Sequence, residues 1–277
     1  MTDPSLGRYL SALTHTTPLV HCMTNFVAMN SSANLVLAVG ASPAMLHAIE
    51  EAPEFTALAS ALSINIGTIS PHWAEAMLAS AEVARARSIP WVLDPVAVGA
   101  TAYRRELCQR LLELEPTVIR ANASEVLALC GLESQGRGVD AAPETPNATA
   151  AAVMLAKRQG CVVAMTGERD LVTDGTRVAR ISGGHALMPR ITTLGCGLSA
   201  VTAGFVGASP EAPFEASVAA LATFALAGQE AGTRASGPGT FQVALLDALY
   251  ALTPARLEQG ANQCVSFSTD EGAAHGA

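Results

Sequence analysis

Thr192-Thr193-Leu194-Gly195-Cys196-Gly197-Leu198-Ser199-Ala200 is a glycine-bracketed turn that runs into an apolar helix of small residues, expected over 198–206. Two glycines let the backbone approach a ligand with no Cβ in the way. The first turn of a helix adds unpaired N–H groups and the positive end of its dipole. The stretch therefore reads as a place to hold an anion, a phosphoryl group best of all. Cys196 is the reactive side chain there, and a helix start tends to lower a thiol pKa. A plain strand-to-helix turn with a buried cysteine fits the local sequence equally well.

Upstream of this turn, short β-type runs alternate with longer alanine-rich helical runs. The expected strands are 19–23, 62–66, 91–93, 117–120 and 162–165. Each is nearly continuous in apolar residues, as a strand covered on both faces must be. Helices are expected near 30–39, 73–86, 104–112, 124–129 and 148–159. This rhythm predicts an α/β fold: a mainly parallel central sheet between two helical layers. Residues 170–173 and 177–181, joined across Asp174-Gly175, read as a β-hairpin. Helices near 214–231 and 239–252 follow the glycine turn. The polar stretch 133–147, rich in Gly and Pro, reads as a surface loop. Residues 1–258 read as a single domain and 259–277 as a flexible C-terminal tail.

Of 277 residues, 50% are hydrophobic and only 14% are charged. Such a chain can bury a large core, and part of its surface is also suited to cover in an oligomer. The net charge is −8 with no basic cluster, which argues against nucleic acid as a partner. No run is long and apolar enough to read as a membrane span. The N-terminus lacks the pattern of a signal peptide. Six cysteines, at 22, 108, 130, 161, 196 and 264, form no zinc-type spacing and suit a reducing cytoplasm. All but Cys196 read as small buried hydrophobes.

In an open α/β sheet, ligands bind beyond the carboxyl ends of the strands. Polar residues stand at those ends here: Thr24-Asn25, Asn65, Asp94-Pro95, Arg120 to Glu125, and Thr166-Gly167-Glu168. Asp94 is either the start of a turn or a carboxylate of a Mg²⁺–phosphate site. Asn122 and Glu125 have the spacing of a helix cap and its partner; Glu125 can also hold a water of a Mg²⁺–phosphate complex. Arg120, a charge at the end of an apolar strand, needs a partner, and a phosphate or a salt bridge would serve. Thr166-Gly167 offers a hydroxyl and close backbone approach to a nucleotide. His21 reads as a hydrogen-bonded core residue, and no Ser/His/Asp arrangement is legible.

Taken in order, these blocks resemble the hydroxyethylthiazole kinases of the ribokinase-like superfamily. The likeness runs from about Pro18 to Leu252. It is carried by Val20-His21-Cys22-Met23-Thr24-Asn25-Phe26-Val27, Gly40-Ala41-Ser42-Pro43-Ala44-Met45, Leu62 to Thr68, Asp94 to Thr101, Ile119 to Glu125, Thr166-Gly167-Glu168 and the glycine turn. Most ribokinase-like enzymes carry an aspartate base in that turn. The thiazole kinases commonly carry cysteine, and Cys196 occupies the position. The turn departs from a Gly-Thr-Gly-Cys form in lacking its first glycine.

The resemblance implies a ribokinase-like three-layer α/β/α sandwich that transfers phosphate from ATP, with Mg²⁺, to the primary hydroxyl of 4-methyl-5-(2-hydroxyethyl)thiazole in thiamine biosynthesis or salvage. It implies Met45, Gly195 and Asn25 at the substrate, and Arg120 and Thr166 at ATP. The amides of Gly195, Cys196 and Gly197 would form the anion hole, with Cys196 as catalytic base. Asp94 and Glu125 would hold the metal through water. It also implies a homotrimer with active sites between subunits, in the cytoplasm. The rival readings are a related kinase acting on hydroxymethylpyrimidine or pyridoxal, and a cysteine hydrolase. A nucleotide-binding protein without catalysis is a third.

Overall fold

The computed structural model describes residues 5–132 and 146–269. Its elements in chain order are α1 (Gly7–Thr16), β1 (Leu19–Met23), α2 (Met29–Ala38), β2 (Ser42–Ala44), α3 (Ala52–Thr56), β3 (Ala61–Asn65), α4 (Pro71–Ala86), β4 (Trp91–Asp94), α5 (Ala102–Leu112), β5 (Val118–Asn122), α6 (Ala123–Leu129), α7 (Pro146–Gln159), β6 (Val162–Thr166), β7 (Asp170–Thr173), β8 (Arg177–Ile181), α8 (Leu194–Ala208), α9 (Pro213–Arg234), α10 (Pro238–Ala251), α11 (Pro254–Cys264) and β9 (Val265–Thr269).

One nine-stranded sheet runs in the order β2-β1-β3-β4-β5-β6-β7-β8-β9. The strands from β2 to β6 pair in parallel. The last three strands join antiparallel. Successive side chains of a strand point to opposite faces, and the two faces carry separate cores. Val20, Val92, Val118 and Ala164 pack under α1, α2 and α8–α11. Leu62, Trp91, Leu93, Ile119 and Val163 pack under α4–α7. This is the expected three-layer α/β/α arrangement. Within it His21 is fully buried. It pairs with Thr56 Oγ1 at 2.9 Å and the Leu46 carbonyl at 3.0 Å. Burial pulls its pKa down to about 4, so it is a neutral core residue.

Helix starts follow the capping residues. The Ser70 and Thr101 side chains accept the N–H groups of Trp73 and Arg104. Asn122 and Glu125 complete a reciprocal capping box at α6.

The structure departs from the sequence reading in four places. First, α11 and β9 occupy 254–269, where a flexible tail was expected from 259. Val265 and Phe267 pack on the core, and Phe267 lies 6.5 Å from the Phe214 ring, which is what recruits the segment to the sheet edge. Residues 270–277 lie outside the described residues, as does most of the expected loop 133–147. Second, α1, β2 and α3 were not anticipated. β2 and α3 are one short turn or strand each, too brief for periodicity to register. Third, Cys130 and Cys264 are only partly buried, while Cys22, Cys108 and Cys161 are buried as expected; all six thiols are free. Fourth, the helix after the glycine turn begins at Leu194, not 198, so both glycines stand inside its first turn.

Candidate active site

The C-terminal ends of β3, β4, β5 and β6 converge on the N-terminus of α8. Sheet register sets Asn65 beside Asp94, and Asn122 beside Thr166. Thr193 caps α8 in a left-handed conformation (φ 77°), and its hydroxyl meets Ser31 Oγ at 2.6 Å. A Cβ on Gly197 would collide with the Leu35 side chain, so glycine is what lets α8 close on α2. Gly195 faces the other way. A Cβ there would lie 2.8 and 2.9 Å from the guanidinium nitrogens of Arg120.

The Gly197 amide donates to the Thr193 carbonyl at 2.8 Å and is spent within the helix. The amides of Leu194, Gly195 and Cys196 donate to nothing among the described residues. The donors left unspent at this helix start are thus those of residues 194–196, because the helix starts earlier than 198.

A hydrogen-bonded chain runs across this site. Asn25 Nδ2 donates one hydrogen to Asn65 Oδ1 at 2.9 Å and the other to Cys196 Sγ at 3.2 Å. Asn65 Nδ2 donates to Asp94 Oδ2 at 2.7 Å. Ser199 Oγ donates to the same oxygen at 2.7 Å, and Arg120 Nη1 stands 3.7 Å from it. Arg120 Nη2 donates to Thr166 Oγ1 at 2.6 Å. Asn25, Asp94, Arg120, Thr166, Gly195 and Cys196 are therefore one constellation. Asp94 is fully buried, and burial raises its pKa against the opposing pull of Arg120, Ser199 and Asn65.

Two expected residues stand beside the chain. Met45, one residue past β2, is partly buried against the core that holds Leu194 and Leu198. Glu125 is buried, and its oxygens accept the amides of Ala97 and Asn122, each at 2.9 Å. Ser199 was missed because it reads as one more small residue in an apolar helix. Its signal is spacing: three positions after Cys196 puts it nearly one turn on, over the end of β4.

Of the six buried polar atoms without a partner among the described residues, two belong to this constellation: Asp94 Oδ1 and Arg120 Nε. A buried atom without a partner is costly unless a ligand supplies one. No group of three His, Cys, Asp or Glu side chains could cage a metal among the described residues. This donor set fits a Mg²⁺ that keeps its waters and rests chiefly on substrate phosphates, as Mg²⁺ prefers. Asp94 Oδ1 is the carboxylate oxygen left without a hydrogen bond among the described residues.

Cys196 differs from expectation in its acidity. Burial comes first and the Asp94 charge second; together they push the thiol up to about 11 despite the Asn25 hydrogen bond. The helix-end effect that favours a thiolate loses to desolvation here.

The fold is that of the ribokinase-like kinases. A pyridoxal kinase from Staphylococcus aureus, solved with ADP, superposes with a TM-score of 0.57 at 17% identity, over 76% of this chain and 87% of that one. The hydroxyethylthiazole kinase structure from Pyrococcus horikoshii OT3 superposes with a TM-score of 0.85 at 36% identity, covering 95% and 98% of the two chains. The model of the hydroxyethylthiazole kinase family matches residues 10–255. Hydroxyethylthiazole kinase from Cereibacter sphaeroides is 58% identical over 92% of this chain and 97% of its own length. That from Rhizobium leguminosarum is 54% identical over 91% and 94%. The chain belongs to the hydroxyethylthiazole kinase family.

The raised thiol pKa has a direct chemical readout. Only the thiolate is alkylated by iodoacetamide. The rate at Cys196, followed by peptide mass spectrometry, is expected to keep climbing towards pH 11, whereas a thiol at its ordinary value of 9.0 levels off about two units sooner. A plateau at the ordinary position would show that burial does not govern this thiol.

Proposed function

We infer that this chain transfers the γ-phosphoryl group of ATP to the primary hydroxyl of 4-methyl-5-(2-hydroxyethyl)thiazole, in thiamine biosynthesis or salvage. The observation that carries this reading is the α8 start. Three free amides face a site edged by Arg120 and Asp94, with a cysteine at the position where the wider superfamily has an aspartate.

Phosphoryl transfer needs positioning and charge stabilisation more than covalent chemistry from the protein. The substrate hydroxyl oxygen bonds to the γ-phosphorus as the bond to the β–γ bridging oxygen breaks, and ADP leaves. The amides of Leu194, Gly195 and Cys196 stabilise the charge of the moving group. Arg120, with its free Nε, and Thr166 contact ATP. Met45, Asn25 and Gly195 contact the thiazole alcohol. Asp94 Oδ1 would hold Mg²⁺ through water, and the ion would supply positive charge against that of the phosphates. Glu125 serves that site by orienting the 94–97 turn through the Ala97 amide, and any water it holds shares oxygens already in use. Six free cysteines support a reducing, cytoplasmic setting. No described helix is long and apolar enough to cross a membrane.

Cys196 stands beside the attacking hydroxyl as its proton acceptor. With a pKa of about 11 it is almost wholly protonated at neutral pH, so only a small fraction is the thiolate that can take the proton. An aspartate starts near ~3.9. Even raised by the same burial, it is ionised more readily than this thiol. Cys196→Asp is therefore expected to keep or raise kcat in an ADP-release assay with the thiazole alcohol. Cys196→Ala is expected to lower it by ~10–10³-fold, the span of general-base loss. Equal inactivity of the two variants would remove the base role. Pyrimidine and pyridoxal alcohols run in parallel distinguish the related kinases, and a hydrolase would release product without ATP.

Arg120→Ala should weaken ATP binding more than thiazole binding in isothermal titration; an unchanged ATP affinity would remove Arg120 from the nucleotide site. We also propose a homotrimer with sites shared between subunits. Phe26 and Val27, next to Asn25 in sequence, are 65% and 61% exposed, an apolar pair at the rim of the site that suits cover by a neighbour. Light scattering is expected to give three times the 28.4 kDa chain mass; a fully active monomer would refute the assembly.

A further inference from the structure

Arg104 lies in the first turn of α5, outside the constellation described above. Its guanidinium donates to three backbone carbonyls: Ile66 at 2.7 Å, Val96 at 2.8 Å and Gly67 at 2.8 Å. Ile66 and Gly67 directly follow β3, and Val96 follows β4 by two residues. The three carbonyls thus belong to the two loops that leave Asn65 and Asp94. A planar fork of fixed donors is the side chain suited to hold several oxygens in one arrangement.

What the fork holds is close to the chemistry. Gly67 sits directly against Asn25: a Cβ there would fall 2.7 Å from Asn25 Nδ2 and 2.9 Å from Cγ. The Gly67 amide also donates to Asn65 Oδ1 at 2.9 Å, the oxygen that accepts from Asn25. A shift of the β3 loop therefore moves Asn65 and Asn25 together. Asn25 donates to Cys196 and Asn65 donates to Asp94. The β4 loop, held by the same guanidinium, carries Asp94 itself.

We propose that Arg104 is a positioning residue for phosphoryl transfer. It fixes the spacing of the β3 and β4 loops, and through Gly67 and Asn65 it sets the Asn25 amide on Cys196 and the Asn65 amide on Asp94. It touches neither substrate, and this role rests on the kinase reading above. Displacement of reacting groups by about 1 Å can cost ~10²-fold in rate, so loss of the fork is expected in kcat. ATP affinity, which rests on Arg120 and Thr166 on the neighbouring strands β5 and β6, neither of which the fork touches, is expected to stay.

The experiment compares wild type, Arg104→Ala and Arg104→Lys in the ADP-release assay, well below each variant's Tm, with saturating thiazole alcohol. Arg104→Ala should lower kcat by ~10–10²-fold and leave the KM for ATP within twofold. Arg104→Lys keeps the charge and loses the fork, so it should recover only part of the rate. Should the alanine variant fail to fold, the lysine variant carries the test alone. Adding Arg104→Ala or Arg104→Lys to an Asn65→Ala background should then cost less than twofold more, since neighbours that act as one unit are not additive. A lowered Tm with kcat unchanged would make Arg104 a structural staple and overturn the proposal. So would full additivity with Asn65→Ala, or full rescue by lysine. A wild-type enzyme with no activity on the thiazole alcohol would fail earlier, on the kinase reading itself.

Discussion

The burial of Asp94 is the constraint on which the site depends. A carboxylate with no exposure to water is tolerated only when paired and hydrogen-bonded. Asn65, Ser199 and Arg120 all turn to one of its oxygens. Each of these partners then has a second task. Asn65 also accepts from Asn25, Ser199 belongs to the helix that bears Cys196, and Arg120 reaches Thr166 and lies on Gly195. Satisfying one buried charge thus assembles β3, β4, β5, β6 and α8 into a single cleft. Networks of this kind are costly when half complete, and the remaining oxygen of Asp94 is the part that no described residue satisfies.

Both glycines of the turn are explained by close approach. Gly195 leaves room for the Arg120 guanidinium, and Gly197 for Leu35. Neither was legible as such in the sequence, where the pair signalled only a bare backbone. The same packing has an electrostatic result. By drawing α8 down onto the sheet it buries Cys196 beside Asp94, and the desolvation so created outweighs the helix dipole. A local rule about helix ends and a tertiary fact about burial point in opposite directions, and burial wins.

The parallel strands and the long helices were readable because they are unbroken apolar runs and regular amphipathic stretches. β1, β7 and β8 match the sequence reading to the residue. The strand-end residues Asn25, Asp94, Arg120 and Thr166 were readable for a topological reason: a parallel sheet gathers its carboxyl ends at one edge. Their connections were not readable. Nothing in the order of residues says that Asn25 bridges Asn65 and Cys196, positions separated by 40 and 171 residues from it. Ser199 was hidden by its neighbours' composition. The expected tail became α11 and β9 because Val265-Ser266-Phe267-Ser268 alternates weakly, a pattern that acquires meaning only beside a free strand edge such as β8.

That ninth strand also settles how the sheet ends. An open sheet has two edges, and bare edges invite other chains to pair with them. On one side β2 is three residues long, and its middle residue, Pro43, has no N–H to donate. On the other side the outermost strand is β9, five residues rich in serine and threonine, with Ser266 and Thr269 open to water. One boundary is too short and too poor in donors to template a neighbour, and the other is polar and well solvated. Association between copies of this chain is thereby steered away from strand-to-strand pairing and towards the helical faces and the loops at the mouth of the cleft, and the fold carries its own guard against aggregation along the sheet.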